Sequence, residues 1–287
     1  MDISIIIPCL NEEKNIGDCL LSLVNQDYQL GNLEIIIVDN GSTDQTQVIV
    51  EDFCKRYGNI SLIVESRKGV AIGRNTGIRN AKYNFIALID ADCEAPTDWL
   101  TILVENYSSV TREDDRVIAV GGANNPPENS SKFLKAIGVA LDSYVGSFNS
   151  IQGRRFTDYR DVVSLSNLNV LYRKDKLFEV GLYDESLLSE AEDADLNYRL
   201  SLLGYKFVFV PSSFVWHKMR SNPLSWLKNM FRYGKGRARL LKRHPSMWEL
   251  SFVLPIFFVL LMFSTIFSFV NKIFFLPLLY FLVIAMF

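Results

Sequence analysis

The strongest constraint on the fold is a regular alternation of apolar, β-branched runs and amphipathic helical patterns over the first 92 residues. Four runs have the composition of buried strands, at residues 3–7, 33–40, 60–66 and 85–92. Helical patterns separate them, at residues 11–26, 42–58 and 70–82. We expect Asn11 to cap the first helix and Ser42 or Thr43 to lie near the cap of the second. This order predicts a parallel sheet with both faces covered, which binds ligands beyond the carboxyl ends of its strands.

Acidic or amide side chains follow three of these strands, in PCLNEE, VDNGSTD and LIDADCE. Asp90 and Asp92 lie two residues apart, and a turn after Asp90 would bring both carboxylates over the edge of the sheet. Two like charges repel there, and a bound divalent cation such as Mg²⁺ would remove the repulsion. An Asp-rich turn without metal is the alternative that the spacing alone leaves open.

The C-terminal region is strongly apolar. Residues 250–270 form a run of 21 residues without a charge, which as a helix would reach roughly 30 Å, one hydrocarbon thickness. We expect a transmembrane span there. The 15 residues 273–287 predict a partial or re-entrant second pass, or the cut end of a longer chain. A buried pair of core helices is the alternative for both segments.

Charge is segregated along the chain, although the net charge is only -2. Residues 1–195 carry 31 acidic and 18 basic side chains, whereas residues 196–248 carry 11 basic side chains and no acidic one. A basic stretch directly before a membrane span predicts a cytoplasmic side and contact with anionic lipid headgroups. The same bases suit a pyrophosphate. Nucleic acid is the weaker alternative, because no base-reading motif accompanies these basic side chains, and we expect no nucleic-acid partner.

The N-terminus and the cysteines indicate a reducing compartment. The first ten residues have no basic region, and Pro8 interrupts their apolar run, so they do not resemble a signal peptide. We therefore expect the catalytic domain to be cytoplasmic, attached to the cell membrane. The four cysteines show no C-x-x-C pairing, which indicates reduced thiols and no zinc site.

Five motifs follow one another in an order that resembles the family 2 inverting glycosyltransferases of the GT-A fold. They are ISIIIPCLNEE, IIIVDNGSTDQT, KGVAIGRNTGIRNA, LIDADCEAP and VGLYDESLLSEAEDADLNYRLSLLGYKFVFVP. The resemblance extends from about residue 3 to residue 217. It implies a Rossmann-like, mostly parallel α/β sheet flanked by helices, a nucleotide-sugar donor, and Mg²⁺ or Mn²⁺ as cofactor.

The resemblance places the donor nucleotide in the first half of the chain. It implies that Asp39 contacts the base and that Pro8 and Glu12 hold the base and ribose. Two alternatives stay open, namely that Asp39 caps the following helix with Ser42 and that Glu12 stabilises a helix dipole. Arg74 is expected to reach diphosphate or ribose, or else to be a solvated charge on a helix face. The full set predicted for the nucleotide-sugar is Pro8, Asn11, Glu12, Asp39, Gly69, Arg74, Asp90 and Ala91.

The triplet from Asp90 to Asp92 matches the DxD motif of the family. There the second acid binds Mg²⁺ or Mn²⁺, and the first approaches the ribose or the metal. Glu94 lies where some relatives provide a further ligand. His217 also follows a strand, and relatives often carry histidine there, near the diphosphate or metal, although a lone histidine after a strand is more often structural.

The pair Glu192 and Asp193 matches the ED motif of the family, whose Asp is the general base. The acids at 190, 192, 193 and 195 precede a helical pattern, and the dipole of a helix N-terminus tolerates negative charge. We assign the base to Asp193 and keep Asp195 as its rival, because spacing does not say which acid points at the acceptor. A simply acidic first turn would explain only one or two of these residues.

Two further patterns limit the chemistry. Gly69, Gly73 and Gly77 recur every four residues, which is not the G-x-G-x-x-G fingerprint and argues against a bound NAD. The Q-x-x-R-W motif of processive synthases is absent, which puts processivity in doubt. The basic segment before the predicted span contains Lys235, Arg237 and Arg239. These side chains would either bind a polyprenyl pyrophosphate or anchor the chain on lipid.

These observations predict a membrane-attached transferase that moves one sugar from a UDP- or GDP-sugar to a hydroxyl of a polyprenyl-linked saccharide. The alternatives are a polyprenyl-phosphate glycosyltransferase, a sugar nucleotidyltransferase and a non-catalytic membrane scaffold. We expect a catalytic domain at residues 1–220, with a nucleotide-binding half at 1–122 and an acceptor half at 123–220 in which residues 123–162 form a loop and short-helix region. A basic juxtamembrane segment at 221–249 and membrane segments at 250–287 follow.

Overall fold

The computed structural model describes residues 1–29, 31–143, 156–187, 191–218, 222–248, 254–269, 271 and 276. The chain packs as two units, residues 1–237 and residues 238–287. The first unit contains every strand of the described chain, and the motifs lie along its sheet.

Strands and helices alternate through most of the first unit. The strands are β1 Ile3–Cys9, β2 Leu33–Asp39, β3 Ile60–Val64, β4 Phe85–Leu88, β5 Cys93–Glu94, β6 Val117–Asn125, β7 Arg160–Val162, β8 Val170–Arg173 and β9 Lys206–His217. The helices are α1 Ile16–Val24, α2 Thr46–Arg56, α3 Val70–Asn80, α4 Trp99–Glu113, α5 Lys132–Asp142, α6 Lys174–Glu179, α7 Glu192–Leu202 and α8 Pro223–Arg243. The end of α8 belongs to the second unit.

The strands form one mixed sheet in the order β3-β2-β1-β4-β8-β6-β9-β5, with β7 paired to β9. The predicted parallel arrangement is confirmed for β1 to β4. It is wrong for β8, which runs antiparallel to both β4 and β6, and for β5 and β7, which run antiparallel to β9. The helical periodicity that separates the first four strands is missing from the region that supplies β8, so the parallel expectation had no support there.

Helices cover both faces of the sheet, as predicted. Side chains of alternate residues in β1 point to opposite faces, so that Ile5 packs with α1, α2 and α4 while Ile6 packs with α3 and α7. Helix α3 approaches the sheet closely, because a Cβ at Gly77 would lie 2.4 Å from Ile6 Cγ2 and one at Gly73 would lie 2.4 Å from Asn40 Oδ1. The four-residue glycine spacing therefore serves helix-to-sheet packing.

Three element boundaries differ from the predictions. Asn11 does not cap α1, which begins at Ile16, because Asn11 has a left-handed φ of 58° and residues 12–15 form a turn. Helix α2 begins at Thr46, beyond Ser42 and Thr43. Strand β4 ends at Leu88 and does not continue to Asp92, so the acidic triplet lies in the turn that follows it.

The region 123–162 contains more regular structure than the expected loop. Strand β6 continues to Asn125, α5 follows with Ser131 as a cap whose side chain accepts from Leu134 N, and β7 adds a strand. The polar composition concealed these elements because α5 and β7 lie partly on the surface. Residues 144–155 lie outside the described part.

The second unit contains the apolar helix α9, Leu254–Ser264, and a following 3-10 turn, Thr265–Phe269. Among the residues that the structure describes, no helix combines the length and apolar character needed to cross a membrane. Residues 250–253 and 270 of the first predicted span lie outside that part. So does the second predicted segment, 273–287, apart from Leu276.

Candidate active site

The acidic triplet lies in a tight turn, in which Cys93 N donates to the carbonyl of Asp90 over 3.0 Å. Strand β5 pairs Cys93 with His217 at the end of β9. This pairing brings His217 Nε2 to 3.3 Å from Asp92 Oδ2, while Ala91 packs into the core. Burial raises the pKa of Asp92, but the attraction of His217 outweighs it, so the pKa lies below its usual value. The structure thus joins two predicted site residues from opposite ends of the domain.

The donor atoms around Asp92 fit a divalent transition metal. One ligand atom each of Asp92, Cys93 and His217 lies within 4.8 Å of the others. The Cys93 thiol is buried, and burial raises its pKa well above the usual value, so it is a poor thiolate ligand. A carboxylate and an imidazole remain, which suit Mn²⁺ better than the oxygen-preferring Mg²⁺. Glu94, the possible further ligand, is instead paired with Lys218, whose Nζ lies 2.7 Å from Glu94 Oε1.

The carboxylate of Asp39 lies at the end of β2 and is fully buried. It accepts from Ser42 N over 3.0 Å and from Gln47 Nε2 over 2.6 Å. The alternative that Asp39 caps α2 is wrong, since α2 begins only at Thr46. Asp39 organises the loop after β2, and Gln47 is a neighbour that the sequence reasoning missed.

The loops after β1 and β2 are joined by hydrogen bonds. Asn11 N donates to Ser42 Oγ over 2.8 Å, and Asn11 Oδ1 accepts from Thr43 N over 2.8 Å. Glu12 Oε2 accepts from Asn15 Nδ2 over 2.7 Å. Pro8 pairs with Val38 in the register of β1 and β2, which places it beside these loops. Four of the predicted donor-site residues therefore lie along one edge of the sheet, Pro8, Asn11, Glu12 and Asp39.

Gly69 and Arg74 connect this edge to the rest of the site. Gly69 has a φ of 141° and its carbonyl accepts from Gly73 N in the first turn of α3. Arg74 is not a solvated charge on a helix face, because its side chain is only 3% exposed. Its Nη2 lies 2.8 Å from Asp90 Oδ1 and its Nη1 lies 2.6 Å from Glu192 Oε1. One guanidinium therefore joins the two predicted acidic motifs.

The predicted base lies in the first turn of α7. Asp193 is half-buried, and its Oδ1 accepts from Ala194 N over 2.8 Å. Burial raises the pKa of Asp193, against the opposing hydrogen bond from Ala194 and the positive charges of Arg74 and Arg237. A rise in pKa is the direction of shift that strengthens a carboxylate as a general base. Glu190, which was predicted with these acids, lies outside the described residues.

The rival base Asp195 has a different environment. Its side chain is 1% exposed, and its Oδ2 lies 2.8 Å from Arg199 Nε one turn later. Arg199 also donates to the carbonyls of Val180 and Leu182, so the pair joins α7 to the segment before it. Asp195 is thus buried and paired, and on that ground we keep Asp193 as the predicted base.

Helix α8 adds side chains that sequence reasoning largely missed. Tyr233 is 46% exposed, but partial desolvation of its hydroxyl group raises its pKa, a hydrogen bond with Asn229 opposes that rise, and the charges of Asp193, Asp90 and Glu192 add to it. Asn229, Tyr233 and Arg237 recur every four residues, so they share one helix face. That spacing was the available signal. Lys235 is exposed and lies about 200° around the helix from Arg237, away from the acids. Arg239 belongs to the second unit.

A comparison with known families identifies the part of the chain that contains the first strands and the acidic turn. The model described as "Glycosyl transferase family 2" matches residues 4–180. The chain is a family 2 glycosyltransferase. It is accordingly an enzyme that acts on nucleotide-sugars, which confirms the family resemblance and removes the nucleotidyltransferase and scaffold alternatives.

Curated relatives of this glycosyltransferase extend the match beyond the family model. Glycosyltransferase AglE of Haloferax volcanii is 32% identical over 240 residues, which cover 83% of this chain and 73% of AglE. A Methanococcus voltae enzyme is 26% identical over 267 residues, 92% of this chain and 81% of its own. It is named dolichyl N-acetyl-alpha-D-glucosaminyl phosphate 3-beta-D-2,3-diacetamido-2,3-dideoxy-beta-D-glucuronosyltransferase. Poly-beta-1,6-N-acetyl-D-glucosamine synthase of Staphylococcus epidermidis is 26% identical over 84% of this chain and 56% of the synthase.

Solved structures share the fold of this glycosyltransferase. The mannosyltransferase PcManGT from Pyrobaculum calidifontis, in complex with GDP-Man and Mn²⁺, superposes with a TM-score of 0.62 at 20% identity, over 84% of this chain and 64% of PcManGT. S. aureus TarS, in complex with UDP-GlcNAc, superposes with a TM-score of 0.57 at 20% identity, over 77% of this chain and 60% of that chain. The α/β sheet flanked by helices is therefore a GT-A fold.

Proposed function

We propose that this glycosyltransferase moves one sugar from a UDP- or GDP-sugar to a hydroxyl of a polyprenyl-linked saccharide at the cytoplasmic face of the cell membrane, with inversion. The observation that carries the proposal is the pair of ion pairs at Arg74. They hold the acid at the metal turn and the acid beside the base within reach of one guanidinium. This arrangement supports a donor site and an acceptor base that lie next to each other.

The donor is proposed to lie along the carboxyl edge of β1, β2 and β4. Pro8, Asn11, Glu12 and Asp39 would hold the base and ribose, with Gly69 opening α3 toward the diphosphate. Asp92 and His217 would hold Mn²⁺ or Mg²⁺, with Asp90 beside them. When bound, the metal would supply charge neutralisation for the diphosphate. Glu94 has a smaller part in this proposal, since Lys218 already balances its charge.

Asp193 is proposed to accept the proton of the acceptor hydroxyl. The hydroxyl oxygen then forms a bond to C1 of the donor sugar while the bond between C1 and the diphosphate oxygen breaks. Nucleoside diphosphate leaves, and attack opposite the leaving group inverts C1. The second oxygen of the Asp193 carboxylate is the one available for this role, because Oδ1 accepts from Ala194 N.

The choice of acceptor draws on the relatives and on the surface of α8. One relative is named for a dolichyl-linked acceptor, which supports a polyprenyl-linked saccharide over free sugar. Arg237, beside Asp193, would suit the acceptor pyrophosphate. Transfer to polyprenyl phosphate itself is the second candidate, and the elements found between residues 123 and 162 disfavour it, since they provide material for a saccharide groove.

Membrane contact is proposed for the outer face of α8. Leu224, Leu227 and Phe231 are 68%, 57% and 77% exposed and recur at helical spacing. The exposed Lys228 and Lys235 flank them, so this face combines apolar insertion with attraction to anionic headgroups. It lies opposite the face that carries Tyr233 and Arg237.

Calorimetric titration of UDP and GDP, with and without Mn²⁺, tests the donor site. We expect metal-dependent binding of one nucleotide that Asp92→Ala abolishes. Asp175→Ala removes an exposed acid that pairs with Arg173 outside the site, so it is the matched control and should bind normally. Failure of the wild-type protein to bind either nucleotide would refute the proposed donor. Transfer assays with polyprenyl pyrophosphate-linked saccharides and with polyprenyl phosphate then separate the two acceptors.

Nitroxide labels in reconstituted vesicles test the membrane face. We expect a label at Phe231→Cys to be reached by oxygen more readily than by a soluble nickel complex, as at a lipid-facing position. A label at Val139→Cys, which replaces an exposed valine of α5, is the control and should show the opposite preference. The same accessibility at both positions would contradict membrane contact through α8.

A further inference from the structure

Arg74 is a deeply buried cation at the candidate site, and it connects two elements that are far apart in sequence. It projects from α3 and pairs with Asp90, which follows β4, and with Glu192, which opens α7. The Arg74 side chain is 3% exposed, the Asp90 side chain 27% and the Glu192 side chain 10%. We call these three residues the Arg74 bridge.

The geometry of the bridge fixes a distance. A guanidinium is planar and presents its donors in a rigid fork, so two bonds to two carboxylates set the vector between them. Asp90 lies two residues before the proposed metal ligand Asp92, and Glu192 lies immediately before the base. The bridge therefore connects the turn that contains the proposed metal ligand to the first turn of α7.

The segment before α7 is fixed to the same helix. Asn75 Nδ2 donates to the carbonyl of Tyr183 over 2.8 Å, and Tyr183 N donates to Asn75 Oδ1 over 2.9 Å. The Arg74 guanidinium lies 5.8 Å from the centroid of the Tyr183 ring. Since Gly73 and Gly77 let α3 pack directly on the sheet, α3 holds these contacts in a fixed position.

Stability alone gives a weak reason for this arrangement. Removing an ion pair from water costs several kcal/mol per ion, and well-packed apolar residues of similar volume often stabilise a protein equally well. Arg74 Nε has no hydrogen-bond partner among the described residues, which adds to that cost. The Arg74 charge lies between Asp90 on the donor side and the first turn of α7, which contains the proposed base. This position points to a role in the reaction.

We propose that Arg74 is a positioning residue, which acts through Glu192 to hold Asp193 at a fixed place relative to the donor. This inference rests on the proposed transfer from a nucleotide-sugar. It differs from the sequence-based expectation that Arg74 contacts the diphosphate or ribose, because both of its Nη atoms are already engaged with carboxylates.

The test is Arg74→Lys, with Arg79→Lys as its matched control. Lysine keeps the charge but carries one compact ammonium, which cannot hold both carboxylates in fork geometry. We expect kcat to fall about 100-fold, the loss typical of a displacement near 1 Å, with the donor KM changed by less than about threefold. Arg79 lies on the same helix and pairs with Glu185 over 3.2 Å at the surface, so its substitution should leave kcat unchanged.

Two measurements distinguish positioning from direct donor contact. In the first, Arg74→Lys should bind UDP or GDP with Mn²⁺ as tightly as wild type does. In the second, combining Arg74→Lys with Glu192→Gln should lower kcat little more than the stronger single variant, because both disrupt one bridge. The inference would be overturned if Arg74→Lys bound the nucleotide more weakly than wild type and if the reductions in kcat of Arg74→Lys and Glu192→Gln multiplied in the double variant.

Hydrogen exchange provides a readout that needs no turnover. The amides of residues 191–199 should exchange faster in Arg74→Lys than in wild type or Arg79→Lys, before any ligand is added. A wild-type protein that transfers no sugar would refute the proposed function, while exchange would still report on the bridge. If Arg74→Lys does not fold, Glu192→Gln tests the bridge from its other end, and unchanged exchange with unchanged kcat would refute it.

Discussion

Asp193 and Asp195 lie two residues apart in α7, and the structure predicts opposite consequences for the same substitution at each. Asp193→Asn preserves shape and still accepts from Ala194 N, so the fold loses little. It removes the base, and loss of general base catalysis typically lowers kcat about 10²- to 10⁴-fold. Nucleotide binding should not change, since Asp193 is not part of the proposed donor site.

Asp195→Asn affects stability instead of rate. It removes a buried charge paired with Arg199 over 2.8 Å, and a hydrogen bond to a charged group contributes about 1.5–3 kcal/mol. For a unit of this size, that corresponds to a fall in Tm of about 3–12 °C. The kcat of the folded protein should stay within about threefold of wild type, because Asp195 contacts no substrate in this scheme.

The assay is steady-state transfer for both variants at a temperature below either transition, with thermal unfolding followed by circular dichroism. A loss of kcat in Asp195→Asn that equals or exceeds the loss in Asp193→Asn would refute the assignment of the base. An Asp193→Asn protein of unchanged kcat would refute it as well. Equal losses of Tm would show that the environments of the two acids had been misjudged.

Three further predictions concern pH, packing and the metal. Because the pKa of Asp193 is raised and the base acts ionised, kcat/KM should rise with pH through an acidic limb above the usual aspartate range, and Asp193→Asn should abolish that limb. Gly77→Ala should lower the free energy of unfolding by about 1–3 kcal/mol, since its Cβ would lie 2.4 Å from Ile6 Cγ2. Gly17→Ala is the control and should not lower it, because the nearest atom to its Cβ would lie 3.9 Å away. Chemical denaturation measures both variants. His217→Gln should weaken Mn²⁺ binding roughly ten- to hundredfold in calorimetry, and unchanged affinity would exclude this ligand.

Local sequence signals predicted the first half of the fold well because they were strong there. β-Branched runs and helical periodicity located β1 to β4 with α2 and α3, and each boundary error arose where a side chain or a turn competed with the helix pattern. Asn11 shows this, since it resembles a helix cap but bonds to the loop after β2 instead. Strand β8 could not be predicted to run antiparallel, because strand direction depends on the connection that precedes it.

At the site, the sequence motifs predicted which residue types take part, whereas the contacts between those residues depend on the tertiary structure. The motifs predicted the acids as a group, but a preference between Asp193 and Asp195 required the Arg199 ion pair, which depends on how α7 packs. His217 was ambiguous until β5 paired with β9 and brought it beside Asp92. Tyr233 was missed because a tyrosine on an amphipathic helix gives no sign of which face meets the acids.

Arg74 illustrates why these residues needed a structure. In the sequence it is one basic residue on a glycine-rich helix, and that context allows a solvated charge, a phosphate ligand or a buried ion pair. Close packing of α3, which Gly73 and Gly77 permit, removes the first possibility and carries the guanidinium between two acidic motifs about 100 residues apart. Each terminal nitrogen of Arg74 then already donates to a carboxylate. In the proposed mechanism, this one side chain sets the separation between the donor acids and the base by its bonds to Asp90 and Glu192.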